Sequence, residues 1–477
     1  METKTKKRKF DTNDFKGLIR RAESIVEILL LTAIYYLTWK CFYRVDPDSF
    51  FYGVGKVLVI IEYAAILFIL MLLCEGFKYG HKKLVDVMSA QVIVVLIVDI
   101  LTYFQLCIFA AQMISVWPMA LMLVADLLVA GACCYIYTAI YHRIYIPKNM
   151  VMIYGHEEAV DLKFKMDQRG DKYKVTEVIP YNMDRDIVKR EILRHDAVII
   201  NDVPSEVRND ILKYCYRTSK RAYVAPKISD IIVRGAEEIN LFDTPLLLVK
   251  GRGLTPEQRF IKRLGDIVVS GIMLIPAGLI MIGVGIAIKK EDHGPIFYKQ
   301  ARVTRDGKVF NILKFRSMIV DAEKNGMSIP ATGKDPRITK VGNVIRPTRI
   351  DELPQLINIL KGDMSIVGPR PERTEHVKAY TEKVPEFELR NKVRGGLTGY
   401  AQIYGRYNTS AYDKLRLDLM YIENYSLFLD IKLIFMTLQI IFKKESTEGF
   451  EKQEELKVMR DKLLEECREK YDTDINC

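Results

Sequence analysis

Long apolar runs alternate with short polar ones through the first third of the chain. The runs fill roughly positions 24–43, 57–74, 91–114 and 116–141. Each is long enough to cross about 30 Å of hydrocarbon as a helix. No small-residue cleavage site follows the first, so it is read as an anchor and not as a signal peptide. Together they predict a four-helix transmembrane domain over 1–148. Basic residues orient it. Lys4, Lys6, Lys7, Arg8 and Lys9 precede the first run, and Lys78, Lys82 and Lys83 separate the second from the third. The loop after the first run has only Arg44 and Lys56, offset by Asp46 and Asp48. Both ends of the bundle are therefore expected at the cytoplasmic face. Glu62, Asp99 and Asp126 lie within runs two to four. They are expected to face the bundle interior, paired or protonated, because a lipid-facing acid at mid-depth is costly; a transporter would use them as a proton path, but four helices make a small transporter.

The pattern changes after the fourth run. MVMIYG at 150–155, DAVIIND at 196–202 and AYVAP at 222–226 read as short buried strands separated by helical stretches. That alternation predicts a parallel sheet with crossover helices, a cytoplasmic Rossmann-like α/β module over 149–250. Gly155 stands alone without a GxGxxG pattern, so dinucleotide binding has little support and a structural or regulatory role is expected. A fifth apolar run, 267–288, has Lys262 and Arg263 before it, Lys289 and Lys290 after it, and Pro276 near its middle. A plain crossing would place the basic segment from Lys299 to Lys340 outside, against the positive-inside bias. A re-entrant helix over 264–288 that bends at Pro276 and returns to the same face satisfies both facts. Residues 426–442 form another apolar run, read as an interfacial helix because Asp430 and Lys432 lie near its start.

The expected fold class is thus a membrane protein of mixed α/β type, whose third domain, 251–445, is mainly α. A charged tail follows over 446–477. In it Leu456, Met459 and Leu463 hint at a short heptad seam, and a homo-dimer is left open. A chain of 477 residues suits two or three domains. Its net charge of +11 suggests an anionic partner: a phospholipid surface, a phosphorylated substrate or nucleic acid. No basic stretch with interleaved aromatics is present, so nucleic acid is the weakest of the three. The eight cysteines and six histidines show no metal-site or disulfide spacing.

The densest chemistry lies at 346–373, RPTRIDELPQLINILKGDMSIVGPRPER. Adjacent carboxylates, Asp351 and Glu352, sit close in sequence to Arg346, Arg349, Lys361, Arg370 and Arg373. Guanidinium groups grip phosphate oxygens in pairs. Carboxylates can hold a divalent metal or attack phosphorus. The competing local reading makes Thr348 a helix cap with Asp351 three residues on, as in a capping box.

At 262–442 the chain resembles the catalytic domain of bacterial polyprenyl-phosphate hexose-1-phosphate transferases, the monotopic phosphoglycosyl transferases. The resemblance is carried by KRLGD at 262–266, KFRSM at 314–318, DELPQL at 351–356, KGDMSIVGPRPE at 361–372 and VRGGLTGYAQIYGR at 393–406. The four leading runs and the α/β module are similar to the long subgroup that starts capsule, exopolysaccharide or O-antigen synthesis. The resemblance implies transfer of sugar-1-phosphate from a UDP-sugar to undecaprenyl phosphate, with release of UMP. It also implies Mg²⁺, held at Asp351 and Glu352, and a phosphosugar-aspartate on Asp351. Glu352 would assist through the metal or as a base. Lys314, Arg316, Arg346, Arg370, Arg394 and Arg406 match basic positions of the motifs and are expected to bind substrate phosphates. The implied setting is the bacterial inner membrane, multi-pass in the bilayer, with the catalytic domain on the cytoplasmic face. The chain departs from many members at Ile275, where they have Ser, and at Gly395, where they have Pro, which is expected to loosen that turn. Pro347 and Arg349 also replace residues commonly basic and serine. The alternative is a non-catalytic membrane scaffold of a polysaccharide assembly complex, which needs neither the carboxylate pair nor the clustered arginines.

Overall fold

The structure, a computed structural model, describes residues 16–43, 54–251, 253–320, 322, 335–405, 409–441 and 457–467. The four apolar runs form helices α1 (Lys16–Phe42), α2 (Val54–Leu73), α3 (Leu84–Phe109) and α4 (Trp117–Ile144). Each is long and apolar enough to cross a membrane. The fold is that of a membrane protein with an α/β domain. Inside the bundle Tyr35 stacks on Tyr63 with ring centroids 4.3 Å apart, and Asp126 accepts a 3.5 Å hydrogen bond from Tyr63. Asp99 is also buried. Glu62 departs from expectation: it lies on an exposed face and accepts from Gln105 at 2.8 Å. Neighbours on a helix differ by about 100°, so with Tyr63 turned inward, Glu62 cannot follow it.

Next come β1 (Lys148–Tyr154), α5 (Asp161–Asp167), β2 (Tyr173–Pro180), α6 (Arg185–Arg194), β3 (Ala197–Asn201), α7 (Ser205–Arg217) and β4 (Arg221–Val224). The strands form a wholly parallel sheet in the order β2-β1-β3-β4. Strands β1 and β3 are near-continuously apolar because both sheet faces are covered. Val151, Ile153, Val198 and Ile200 meet the helices on one face. On the other, Met150, Met152 and Ile199 meet Val160 and Leu464. Leu464 belongs to a helix over 457–467, tied to α5 by Arg460 and Asp161 at 3.5 Å. Leu463, expected in a heptad seam, packs against this sheet face instead; Leu456 lies outside the described residues. The strand order reverses between β1 and β3, and there Gly155 crosses beside the carbonyl of Asp202.

The chain divides into Met1–Ala225 with Phe450–Cys477, and Pro226–Gly449. Residues 226–250 therefore belong with the second unit, because Ile228 and Ile231 are buried in its core. That unit comprises α8 (Ile228–Arg234), the hairpin β5 (Glu237–Leu241) and β6 (Thr244–Leu248), α9 (Pro256–Asp292), the hairpin β7 (Phe297–Val303) and β8 (Val309–Phe315), α10 (Lys340–Ile345), α11 (Gln355–Lys361), β9 (Ser365–Val367), α12 (Thr374–Lys383), β10 (Gly396–Thr398), α13 (Tyr400–Tyr404), α14 (Ala411–Glu423) and α15 (Leu427–Ile441). Helix content dominates, as expected. Its core is built on Phe310, Leu356, Ile359, Val367, Leu419 and Leu433.

Helix α9 starts at a capping box in which Thr255 and Gln258 bond reciprocally, with Pro256 at the first helical position. It stays helical through Pro276. One face is buried through Asp266, Ser270, Ala277 and Ile288, while Ile272, Ile275, Leu279 and Ile282 stand exposed on others. Near its start Lys262 pairs with buried Asp430 of α15 at 2.6 Å, and Arg263 donates to the carbonyls of Ile359 and Leu360. Asp266 accepts from Ser365 Oγ at 2.9 Å and Ile366 N at 3.0 Å. At its far end Asp292 holds Arg316, and Glu291 accepts from Lys340 N at 2.7 Å. Asp430, expected to mark a membrane interface, thus serves an internal ion pair.

A Cβ on Gly155 would lie 1.9 Å from the Asp202 carbonyl oxygen, a backbone atom that no rotamer change can move. Gly155→Ala is expected to destabilise the α/β module by roughly 1–3 kcal/mol or more. A lowered unfolding midpoint of the full chain in detergent checks this.

Candidate active site

Two short helical pieces position the carboxylate pair. α10 ends at Ile345, Arg349 takes left-handed backbone angles (φ 54°), and a single 3₁₀ turn carries Ile350, Asp351 and Glu352. α11 starts just beyond, after Pro354. Thr348 donates backwards to the carbonyls of Val344 at 3.0 Å and Ile345 at 3.2 Å. It closes α10 and does not cap the next turn, so the capping-box reading fails. Arg349 holds a backbone conformation that L residues rarely adopt, next to the carboxylate pair; such strain concentrates at functional sites.

The two carboxylates have different surroundings. Glu352 is buried, and its Oε1 accepts from Lys314 Nζ at 2.9 Å and Arg370 Nη2 at 2.7 Å. Arg349 stands 4.0 Å from Oε2. Burial alone would raise the Glu352 pKa, but Arg370 and Lys314 outweigh it and hold the carboxyl well below its usual range. Asp351 is pushed up to about 6, first by burial and then by the charge of Glu352, against the pull of Lys314, Arg346 and Arg370. One carboxylate is thus locked as an ion-pair anchor. The other lies in the positive field of Lys314, Arg346 and Arg370.

Three of the expected basic residues converge on this pair: Lys314 and Arg370 by direct contact, Arg346 within electrostatic reach of Asp351. Arg316 is engaged elsewhere. Its guanidinium is buried and grips Asp292 with two nitrogens, one at 2.8 Å, over Gly294. It fastens the end of α9. Arg394 sits in the field of Arg305, Arg263 and Asp266. Arg406 lies outside the described residues.

The segment carrying Arg370 is fixed at four consecutive carbonyls. Pro369 O accepts from Gly396 N at 2.9 Å, Arg370 O from Arg390 Nη2 at 2.9 Å, Pro371 O from Arg302 Nη1 at 3.0 Å and Glu372 O from Val303 N at 3.0 Å. Behind it Arg390 pairs with Asp418 at 2.7 Å, and Lys414 with Glu372 at 2.8 Å. Burial works against ionised Glu372, yet His376, Lys414 and Arg390 hold its pKa low. Gly395 also differs from expectation. Its N–H donates to Thr304 Oγ1 at 3.0 Å and its carbonyl accepts from Ser365 N at 2.9 Å. That turn is pinned, and a proline there would lose the Thr304 bond. Sequence reasoning missed Arg390, Asp418 and Asp292, since nothing local distinguishes a paired internal charge from a solvated one.

Residues 257–444 match the bacterial sugar transferase family. Over 211 residues the chain is 40% identical to the UDP-glucose:undecaprenyl-phosphate glucose-1-phosphate transferase of Escherichia coli K12, covering 43% of this chain and 44% of that protein. It is 41% identical over 190 residues to the UDP-N-acetylgalactosamine-undecaprenyl-phosphate N-acetylgalactosaminephosphotransferase of Aeromonas hydrophila, covering 39% and 45%. The chain spans less than half the length of these two relatives. It spans 89% of the uncharacterized sugar transferase EpsL of Bacillus subtilis, at 38% identity over 185 residues.

Asp418→Ala would leave the buried Arg390 guanidinium without its nearer carboxylate, with only Glu372 at 3.8 Å to balance it. Breaking such a pair costs about 3–5 kcal/mol. The full chain should unfold at lower denaturant, with Asp418→Asn milder because an amide oxygen still accepts.

Proposed function

The chain belongs to the bacterial sugar transferase family, and on that premise we propose that it is a membrane enzyme of phosphoglycosyl transfer. It moves sugar-1-phosphate from a UDP-sugar to undecaprenyl phosphate and releases UMP, as the first membrane step of exopolysaccharide, capsule or O-antigen synthesis. The observation that carries this reading is the divided carboxylate pair: Glu352 neutralised by Lys314 and Arg370, with Asp351 left to act beside it.

Asp351 is the nucleophile. One of its oxygens bonds to the sugar-bearing phosphorus while the bond from that phosphorus to the bridging oxygen breaks, and UMP leaves with the electron pair. A phosphate oxygen of undecaprenyl phosphate then attacks the same phosphorus and frees the Asp351 carboxylate. Lys314, Arg346 and Arg370 offset the charge that would otherwise repel an anionic nucleophile from a diphosphate. Glu352 orients Lys314 and Arg370. The donor set fits Mg²⁺, which takes one or two carboxylates together with water and substrate phosphates. Asp351 and Oε2 of Glu352 would hold it. Among the described residues no group of three or more acidic, His or Cys side chains could hold a metal without substrate. Bound Mg²⁺ supplies further charge neutralisation at the diphosphate.

The reading places the catalytic unit at the cytoplasmic face of the inner membrane, where a water-soluble donor and a lipid phosphate meet. It also takes α9 as re-entrant, turning at Pro276. Support comes from the two ends of that helix: Lys262 and Arg263 at one, Glu291 and Asp292 at the other, all bonded within the same folded unit. A unit held at both ends of one helix lies on one side of a bilayer. The groups named here come from one chain, so the chemistry requires no homo-dimer and permits one.

In membranes supplied with undecaprenyl phosphate and a panel of UDP-sugars, UMP should be released with at least one donor. Asp351→Asn should abolish release, and Glu352→Gln should slow it by at least roughly 10²-fold. Unaltered release from Asp351→Asn would remove the basis of the assignment. For topology, Glu257→Cys and Lys290→Cys, both at exposed positions, should be labelled from the same side in sealed vesicles. Labelling from opposite sides would make α9 a fifth span.

A further inference from the structure

Strand β7 presents a row that the reaction described above leaves unused. Side chains two apart on a strand share a face, and directly opposed residues of an antiparallel pair share it too. Tyr298 stands opposite Lys314, Gln300 opposite Ile312 and Arg302 opposite Phe310. Tyr298, Gln300 and Arg302 therefore line up on the face from which Lys314 reaches Glu352. They are linked to one another. Gln300 Nε2 donates to Tyr298 Oη at 3.2 Å, and Gln300 Oε1 accepts from Arg302 Nε at 3.0 Å and Nη2 at 2.6 Å.

The other end of the Arg302 guanidinium donates through Nη1 to the Pro371 carbonyl at 3.0 Å, one residue beyond Arg370. Guanidinium carries five N–H donors. The amide of Gln300 and the carbonyl of Pro371 engage three of them, which leaves two. All of these acceptors are neutral, and among the described residues no carboxylate lies within ion-pair distance of Arg302. Its charge is held in place without being cancelled. Burial lowers its pKa to about 10, and the neighbouring Arg370 and Arg373 add to that effect against the pull of Glu372. A half-buried arginine fixed by neutral groups beside a second arginine is unfavourable for folding alone, and an incoming anion relieves it.

We propose that Arg302 is a substrate-binding residue of the same site, a second guanidinium for the diphosphate of a nucleoside-diphosphate donor, with Gln300 as the residue that positions it. The inference rests on the proposed function. The guanidinium fork of Arg302 faces the phosphates from β7, across from Arg370, so the diphosphate is gripped between two arginines from separate segments. Gln300 fixes the plane of the fork, as an amide oxygen accepting from two of its nitrogens does.

Equilibrium binding of UDP to the full-length protein in nanodiscs tests this without any turnover. Losing a charge-assisted hydrogen bond corresponds to roughly 10–100-fold in affinity. Arg302→Gln should weaken UDP binding by that amount. Arg302→Lys should recover part of it, because a lysine keeps the charge without the fork. Gln300→Ala, which keeps both Arg302 and its bond to Pro371, should weaken binding by a smaller factor at an unchanged unfolding midpoint. UDP affinity within twofold of native in Arg302→Gln overturns the inference and leaves the proposed function standing. Equal losses in Arg302→Gln and Arg302→Lys together with lowered unfolding midpoints would make Arg302 a fastener of the Pro371 turn, which also overturns it. A native protein that binds no UDP would overturn the donor assignment and this inference with it.

Discussion

The contact of Glu352 with Lys314 and Arg370 is the interaction on which the second unit depends. The three residues come from a 3₁₀ turn, a hairpin strand and the loop before α12, so one buried carboxylate gathers three segments far apart in the chain. Leaving any partner out would strand a buried charge, a penalty of several kcal/mol. The same contact divides the labour of two adjacent acids. With Glu352 kept ionised by its partners, burial first and then the like charge of Glu352 raise the Asp351 carboxyl to about 6, against the pull of Lys314, Arg346 and Arg370. A group in that condition is ionised near neutral pH and still basic enough to attack.

The outer supports follow from that centre. Arg370 can anchor Glu352 only if its own backbone is fixed, and the four consecutive carbonyl bonds around it do that. Arg390 joins this loop to α14 through Asp418, and Lys314 rides on β8 two residues before Arg316, which fastens the end of α9. The helix that presents an apolar surface and the strand that presents the lysine are therefore mechanically joined.

Much of this is legible in the sequence alone. The four spans follow from apolar length, and β1, β3 and β4 from short buried runs. The motif around Asp351 stands out because carboxylates and guanidiniums crowd one stretch. What escaped did so for physical reasons. β2 is an edge strand, YKVTEVIP, whose half-exposed alternation with Lys and Glu looks like a loop or a helix face. Arg316 sits inside a matching motif like Lys314, yet its partner Asp292 is 24 residues away and no local rule pairs them. Leu463 and Leu464 carry a helix-like pattern whose target, the sheet face, is fixed only by the tertiary fold. Asp430 looked like a polar mark on an interfacial helix, although Lys262, which buries and pairs it, lies 168 positions earlier. Sequence shows where charge is. It does not show which charges are cancelled, and that distinction separates the site from its scaffold.

The central claim is that Asp351 bonds covalently to phosphorus while Glu352 stays an anchor. Incubating the full chain with a UDP-sugar, without any undecaprenyl phosphate, and then mapping its peptides by mass spectrometry addresses it directly. The account predicts release of up to one UMP per chain and a hexose-phosphate adduct on the peptide holding Asp351, absent in Asp351→Asn. UMP that appears only when the lipid phosphate is supplied, with no adduct on that peptide, would contradict it and favour direct transfer between the two substrates.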